Sequence, residues 1–409
     1  MKYSKLFVKT LNQPPKDADT INHKLLTQAG FVDQLMAGVY SYLPLGLRVL
    51  KNIEYVVREE MDSIGGQEIL MPVLHPKAIW ETTKGWDNID VLFKLKSRTD
   101  KEYALGQSEE EVVTPLVMKN VNSYQDLPQA VYQIHWKFRD ELRSKSGILR
   151  GREFYMKDMY SFHETQEDFD KFYDVTKKAY LKIYDRLGLV AKVTEASGGN
   201  FTEKVSYEFM IITDAGEDDI LYCPSCEFCV NVEIAKVKEG DQCPKCGNEK
   251  LKKARASEAG NVFDLGQKYP KDFDLTYTGR DGDQKHPIMG CYGLGISRVM
   301  GVIVEKYHDD NGIVWPASVS PFDVHLISIK SNEKAEEVYK KLQDAGIEVL
   351  YDDREDVSAG NQFADADLIG MPVRLVVSAK SGDKIEWKER AGSETQLLTL
   401  DEVLQRFSK

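Results

Sequence analysis

No stretch of this 409-residue chain approaches the ~20 consecutive apolar residues that a membrane-crossing helix needs. The opening MKYSKLFVKT likewise lacks the apolar segment of a secretory leader. Positive charge is in deficit: 54 Lys and Arg face 66 Asp and Glu, for a net charge of −12. That balance excludes a protein that coats nucleic acid indiscriminately, although a local basic patch could still meet a nucleic-acid partner. Glycine (29) and proline (14) show no period, which excludes collagen-like and low-complexity classes. Cysteine is scarce, and five of the six lie between Cys223 and Cys246, so no disulfide framework spans the chain. With neither leader nor disulfides, the expected compartment is the cytoplasm. What is present is ordinary for a globular protein: 42% hydrophobic and 29% charged residues, with 10% aromatics arguing against disorder. At roughly 100–200 residues per domain the length allows about two to four domains.

Periodicity places the main elements. Leu47, Leu50, Ile53, Val56, Val57 and Met61 recur at helical steps and predict a helix over Leu45–Ser63, stopped by Gly65-Gly66. A strand-like run, Glu68–Met71, ends at Pro72. YQIHWKFRDE (132–141) and RGREFYMKDMYSF (150–162) read as two strands joined by a loop. A charged helix follows over about 165–187, with Glu167/Lys171 and Asp174/Lys178 as i,i+4 pairs. Glycines cluster again at 290–295, before the helical SRVMGVIVEKYH. Past the proline-punctuated WPASVSPF the pattern changes to strand, helix, strand, helix, strand, which predicts a small α/β domain.

Three segments carry the chemistry: the long helix with its Gly-Gly turn and strand; Phe138-Arg139-Asp140-Glu141, a loop, and Arg150-Gly151-Arg152-Glu153-Phe154; and Gly290-Cys291-Tyr292-Gly293-Leu294-Gly295-Ile296-Ser297-Arg298. The glycine run is no P-loop, since no Gly-Lys-Ser/Thr follows it. In this order and spacing the three resemble the signature motifs of class II aminoacyl-tRNA synthetases. KFRDE…GILRGREFYMKDMYSFH, MGCYGLGISR, GIVWP and DDRE…DADLIGMP narrow the resemblance to the bacterial and organellar prolyl-tRNA synthetase family.

The resemblance implies an α+β fold, an antiparallel sheet flanked by helices. It also implies ATP with magnesium, L-proline and tRNA(Pro) as the reacting partners, and a homodimer formed through the first motif. Arg139 would bridge the α-phosphate and the amino acid carboxylate, and Glu141 would accept from the adenine amino group. Arg150 would reach the outer phosphates, Phe154 and Arg298 would sandwich the adenine, and Gly293 and Gly295 would let the backbone approach the nucleotide. Such guanidinium groups suit a reaction between two anions, because they hold phosphate and carboxylate in a fixed fork.

Gly106–Glu111 matches the family's amino-acid-binding loop, where Pro-Thr-His-Glu-Glu is usual. Ser108 keeps the hydroxyl, Glu110 would pair with the secondary ammonium of proline, and Glu109 stands in place of a histidine. The bland alternative is a solvated helix start. Cys291 and Phe263 would line the ring pocket; Glu258 and Asn261 would face ATP or its magnesium. Asn261 and Tyr207 both replace histidines of the family pattern.

Cys223-x2-Cys226 and Cys243-x2-Cys246 form two knuckles that read as a zinc ribbon, with Cys229 a spare that could replace one ligand; the alternative is a metal-free remnant. Only about 120 residues separate Phe162 from Gly290, too few for the editing domain that long relatives insert there. Hence the expected organisation is a catalytic domain over 1–220 and 251–320, interrupted by the ribbon at 221–250. An anticodon-binding domain follows over 321–409, where Arg354, Lys388 and Arg390 are candidate contacts and Trp387 a candidate stacking platform. Two other readings stay open: a class II synthetase for a different amino acid, and a non-catalytic paralogue that binds tRNA.

Overall fold

The computed structural model describes residues 1–199 and 201–407. The chain forms two compact units. One comprises 36–39 and 54–302; the other comprises 1–35, 40–53 and the chain from Ile303 onward. The expected boundary at 321 therefore falls inside a unit that also takes in the N-terminal stretch.

The first unit is built on a nine-stranded sheet. Its centre is the antiparallel trio Lys252–Gly266, Ile288–Gly295 and Glu153–His163, continued by Gln129–Phe138. The short strand Gln67–Glu68 adds in parallel at the edge. On the other side, Ser206–Ile212, Lys192–Ala196, Cys229–Asn231 and Asp218–Tyr222 close a ring, because Ser206–Ile212 also pairs with Lys252–Gly266. The helix Gln166–Arg186 lies against this sheet; Tyr173 donates to the Val262 carbonyl at 2.9 Å and Tyr180 meets Phe209. The α+β expectation of an antiparallel sheet flanked by helices is met.

Two local expectations need correction. The edge strand is Gln67–Glu68, not Glu68–Met71. Ile69 N–H still bonds the Tyr132 carbonyl, but Met71 N–H is taken by the Gln133 side chain, which ends the ladder. On the charged helix Glu167/Lys171 pair as expected, whereas Asp174 pairs with Lys177, not Lys178. Lys177 also lies over the Tyr173 and Tyr207 rings, which fixes it on that face.

In the second unit Val324–Ile329, Val349–Asp352 and Val373–Ser378 form a parallel core, with the helices Asn332–Asp344 and Ala359–Ile369 in the crossovers. Ile385–Glu389 and Thr395–Leu398 extend the sheet antiparallel. No helix among the described residues is long and apolar enough to cross a membrane.

Candidate active site

The sheet register brings the separate motifs side by side. Gly293 lies opposite Asn261 on one side and Asp158 on the other, and Phe138 opposite Glu153. The neighbouring strands carry Arg139 and Phe154 into one cavity of about 650 Å³ with Glu141, Arg150, Glu258 and Arg298. Asn261, Gly293 and Gly295 line the same cavity. A Cβ on Gly293 would come within 2.7 Å of Asn261 Oδ1, and one on Gly295 within 3.2 Å of the Arg298 Cβ, so both stay bare to keep those side chains in place.

Charge in the cavity is unevenly satisfied. Arg150 donates to Glu141 Oε2 from Nε (3.0 Å) and Nη2 (2.7 Å), and from Nη1 to Glu217 at 2.8 Å. Arg298 donates to the Leu149 and Glu258 carbonyls at 2.8 Å and meets the Glu258 carboxylate at 3.2 Å, while Asn261 Nδ2 donates to Glu258 Oε1 at 2.7 Å. Arg139 is different. Its guanidinium lies 5.1 Å over the Phe154 ring, and its buried Nε has no hydrogen-bond partner. Burial, and then the Arg298 charge, depress its pKa; an arginine still stays charged at neutral pH.

Two further openings meet at Arg139 and Glu141. One, about 880 Å³, is lined by Phe263, Gln107, Glu208 and Tyr269. The other, about 1030 Å³, is lined by Glu208, Glu217, Asp218 and Glu258 opposite Arg150 and Arg298. The acids are crowded: burial, then Glu258, push the Glu208 carboxyl up to about 8, and the same causes raise Asp218.

The acid triplet is no solvated helix start. Glu109, Glu110 and Glu111 are 0%, 0% and 1% exposed. Both carboxylate oxygens of Glu110 are buried without a hydrogen-bond partner. Burial raises its pKa, with the Cys291 thiol and Ser108 hydroxyl pulling the other way. Glu111 accepts from Thr83 at 2.9 Å; burial and Glu110 push it up to about 8. Phe263 reaches a cavity wall and stacks on Phe201, whereas Ser108, Glu110 and Cys291 sit buried and line neither the first nor the second cavity. Tyr207 lies between Tyr173 and Lys177 rather than in the pocket.

The four knuckle cysteines converge, all sulfurs lying within 4.8 Å of one another. Cys223–Cys246 and Cys226–Cys243 are 3.7 and 3.6 Å apart, close to the ~3.8 Å edge of a tetrahedron with ~2.3 Å zinc–sulfur bonds. Cys229 is not among them. Its sulfur accepts from Thr194 at 3.1 Å, in a core with Met210, Ile220 and Ala256.

In the second unit the candidate cations are mostly engaged. Arg354 forks onto Asp352, reaches Asp365 and stacks over Tyr3 at 4.0 Å. Arg390 binds Asp309 through both terminal nitrogens at 2.6 Å, holding that carboxyl down at about 2. Lys388 makes no ion pair among the described residues. Trp387, offered as a stacking platform, is 6% exposed and packed on Phe407, so it is a core residue. Sequence reasoning missed a cavity of about 860 Å³ where Ser328, Lys330, Asn332, Glu355 and Gln362 join Arg354. It opens beyond the carboxyl ends of two parallel strands, a general rule for α/β sheets that could have found it.

Residues 93–307 match the tRNA synthetase class II core domain (G, H, P, S and T), and 321–409 match an anticodon binding domain. The proline–tRNA ligase of Wolbachia sp. subsp. Drosophila simulans is 38% identical over 424 residues, covering all of both chains. That of Thermosipho melanesiensis is 35% identical over 557 positions, covering 99% of this chain and 98% of the relative. Since this chain has 409 residues, about 150 of those positions face a gap. Among solved structures, Cryptosporidium parvum prolyl-tRNA synthetase complexed with L-proline and AMP superposes with a TM-score of 0.77 at 18% identity, covering 94% of this chain and 73% of that one. The Giardia lamblia prolyl-tRNA synthetase in complex with prolyl-adenylate gives 0.76 at 20% identity, covering 93% and 73%. At those identities the likeness is one of fold.

Proposed function

From the premise that this chain belongs to the class II aminoacyl-tRNA synthetases, in the prolyl-tRNA synthetase family, we propose that it is a proline–tRNA ligase whose active site is the cavity around Arg139. It activates L-proline with ATP to prolyl-adenylate and transfers the prolyl group to tRNA(Pro), without an inserted editing domain. The observation that carries this reading is a half-buried cation with no ion-pair partner among the described residues, Arg139, set near a sealed carboxyl, Glu110. An amino acid offers a carboxylate to the first and an ammonium to the second.

The residues would act by position and charge. Arg139 holds the proline carboxylate against the α-phosphorus and takes up charge as pyrophosphate departs. Phe154 and Arg298 hold the adenine, with Glu141 accepting from its amino group. Arg150, released from Glu141 and Glu217, reaches the outer phosphates. Phe263 lines the ring pocket, with Cys291 and Ser108 buried behind its wall. No strong general base is required, because the attacking carboxylate is already ionised. Crowded acids are what a divalent cation relieves, so Glu258, once released from Arg298 and Asn261, would with Asn261 hold magnesium, which would supply charge neutralisation on the phosphates. ATP–pyrophosphate exchange with each of the twenty amino acids tests the assignment; exchange driven best by another amino acid, or by none, overturns it.

We further propose that Cys223, Cys226, Cys243 and Cys246 hold one structural zinc per chain as four thiolates, with no open position for water. Metal analysis after zinc-replete expression should return about one equivalent, and chelation should loosen 221–250 while sparing ATP binding. Less than about a tenth of an equivalent would defeat the zinc site. The domain limits proposed are 1–220 with 251–320, 221–250, and 321–409, whose last two residues lie outside the described ones. In the last, Arg354, Lys388 and Arg390 remain the anticodon candidates, and of these Lys388 is the one not already committed to a carboxylate. A cytoplasmic homodimer is also proposed. Tyr55 (60%), Leu70 (73%) and Leu74 (50%) leave an exposed apolar set around the first motif. Sedimentation at micromolar concentration should give a dimer, and a monomer would contradict the proposal.

A further inference from the structure

The loop that begins the Glu110–Met118 helix is held from behind by groups the reaction does not use. His75, on the strand Leu74–Pro76, is fully buried, as is Glu109. His75 Nε2 lies 2.9 Å from Glu109 Oε2 and 2.8 Å from the Pro72 carbonyl. Nε2 donates to the Pro72 carbonyl, and the Glu109 carboxylate lies beside it in close charge contact without hydrogen-bond geometry. The ring is clamped by stacking on Trp80 at 5.7 Å. The other oxygen of Glu109 lies 3.5 Å from Lys137 Nζ, which sits 2.9 Å from Asp158. The backbone of Glu109 is fixed as well: its N–H donates to the Tyr160 hydroxyl at 2.9 Å, and that hydroxyl donates to Asp158 and lies 3.3 Å from Ser108 Oγ. Gly106 makes room for the pair, since a Cβ there would come 2.7 Å from Glu109 Oε1 and 2.8 Å from His75 Cε1.

We propose that His75 and Glu109 form a positioning pair: the His75–Glu109 contact, closed inside the Lys137–Asp158–Tyr160 network, fixes the entry to the helix and so aims Glu110 and Ser108 at the amino acid. The pair touches no substrate. It rests on the reading of Glu110 as the ammonium partner. A second tether, Thr83 to Glu111, enters the same helix two residues later, so the helix stays anchored when the pair is broken while Glu110 loses its fixed orientation. Loss of the pair therefore appears in the use of proline and not in the use of ATP.

The test is ATP–pyrophosphate exchange, read as separate KM values for proline and ATP, on His75→Leu, His75→Gln, Glu109→His and the exchange His75→Glu/Glu109→His. Breaking contacts in a buried network typically alters binding by about tenfold or more. His75→Leu and Glu109→His should each raise the proline KM by about tenfold or more, with the ATP KM within about twofold. His75→Gln keeps an N–H donor and should stay within about threefold of wild type, as should the exchange, which restores an acid facing an imidazole. A folded His75→Leu protein with an unchanged proline KM overturns the proposal, as do equal losses for proline and ATP. If His75→Leu does not fold, the exchange decides: recovery supports the pair, and a proline KM as high as that of Glu109→His alone overturns it. Wild-type protein that exchanges with another amino acid would instead overturn the substrate assignment, a distinguishable result.

Discussion

Replacing Arg139 by alanine is expected to reduce ATP–pyrophosphate exchange by at least about 10²–10³-fold, the usual effect of deleting a preorganised group that meets charge developing in the transition state. The fold should survive the change. The Arg139 guanidinium makes no ion pair among the described residues, its Nε is an unpartnered buried donor, and its contact is the Phe154 ring. Removing a half-buried cation that makes no ion pair takes away part of a desolvation penalty along with a little packing, so thermal stability should change little. Arg150→Ala should behave otherwise, because Arg150 ties Glu141 to Glu217 and its loss leaves two acids facing each other. Lysine at 139 should not rescue exchange, since a point charge cannot hold carboxylate and phosphate in one fork. Near-wild-type exchange by a folded Arg139→Ala protein would sink the assignment.

Much of this was legible because the informative strings are long and each needs particular residue types. The hairpin from Phe138 to Phe154 and the glycine run before Arg298 named the cavity wall, and the register of neighbouring strands put them together. The two Cys-x2-Cys knuckles announced their convergence for the same reason: a two-residue turn points both thiols one way. What sequence could not deliver was which charges are already spent. Arg354 and Arg390 look free in one dimension, yet each is forked onto an aspartate distant in sequence or set by a turn. Trp387 alternates on its strand toward the core, a facing that depends on where the sheet is covered. His75 lies 34 residues from Glu109, with no pattern to link them, because that contact is made by the small sheet joining His75 to Ala104.

Glu110→Gln should weaken the use of proline far more than the use of ATP. In the folded chain the Glu110 carboxyl is sealed, both oxygens lack partners, and burial raises its pKa. Glutamine keeps the shape and removes the charge. The substrate's secondary ammonium would then be buried without a counter-ion, which typically costs about 3–5 kcal/mol. That corresponds to a proline KM higher by about 10²-fold to several thousand-fold, against an ATP KM within a few-fold. The free protein should be little destabilised, because burial outweighs what the Cys291 thiol and Ser108 hydroxyl give the wild-type carboxylate. The pH dependence has a definite sign. A carboxyl with a raised pKa must lose its proton before it can accept the ammonium, so proline affinity falls as pH is lowered. The fall begins at a pH above the ordinary carboxylate range near 4.5. In Glu110→Gln this dependence should flatten, leaving only what Glu111, still raised by burial but no longer by the Glu110 charge, contributes indirectly. Proline and ATP KM values measured across pH for both proteins give the answer. Equal losses for the two substrates would make Glu110 a structural residue, and an unchanged pH profile in the variant would place the titrating group elsewhere.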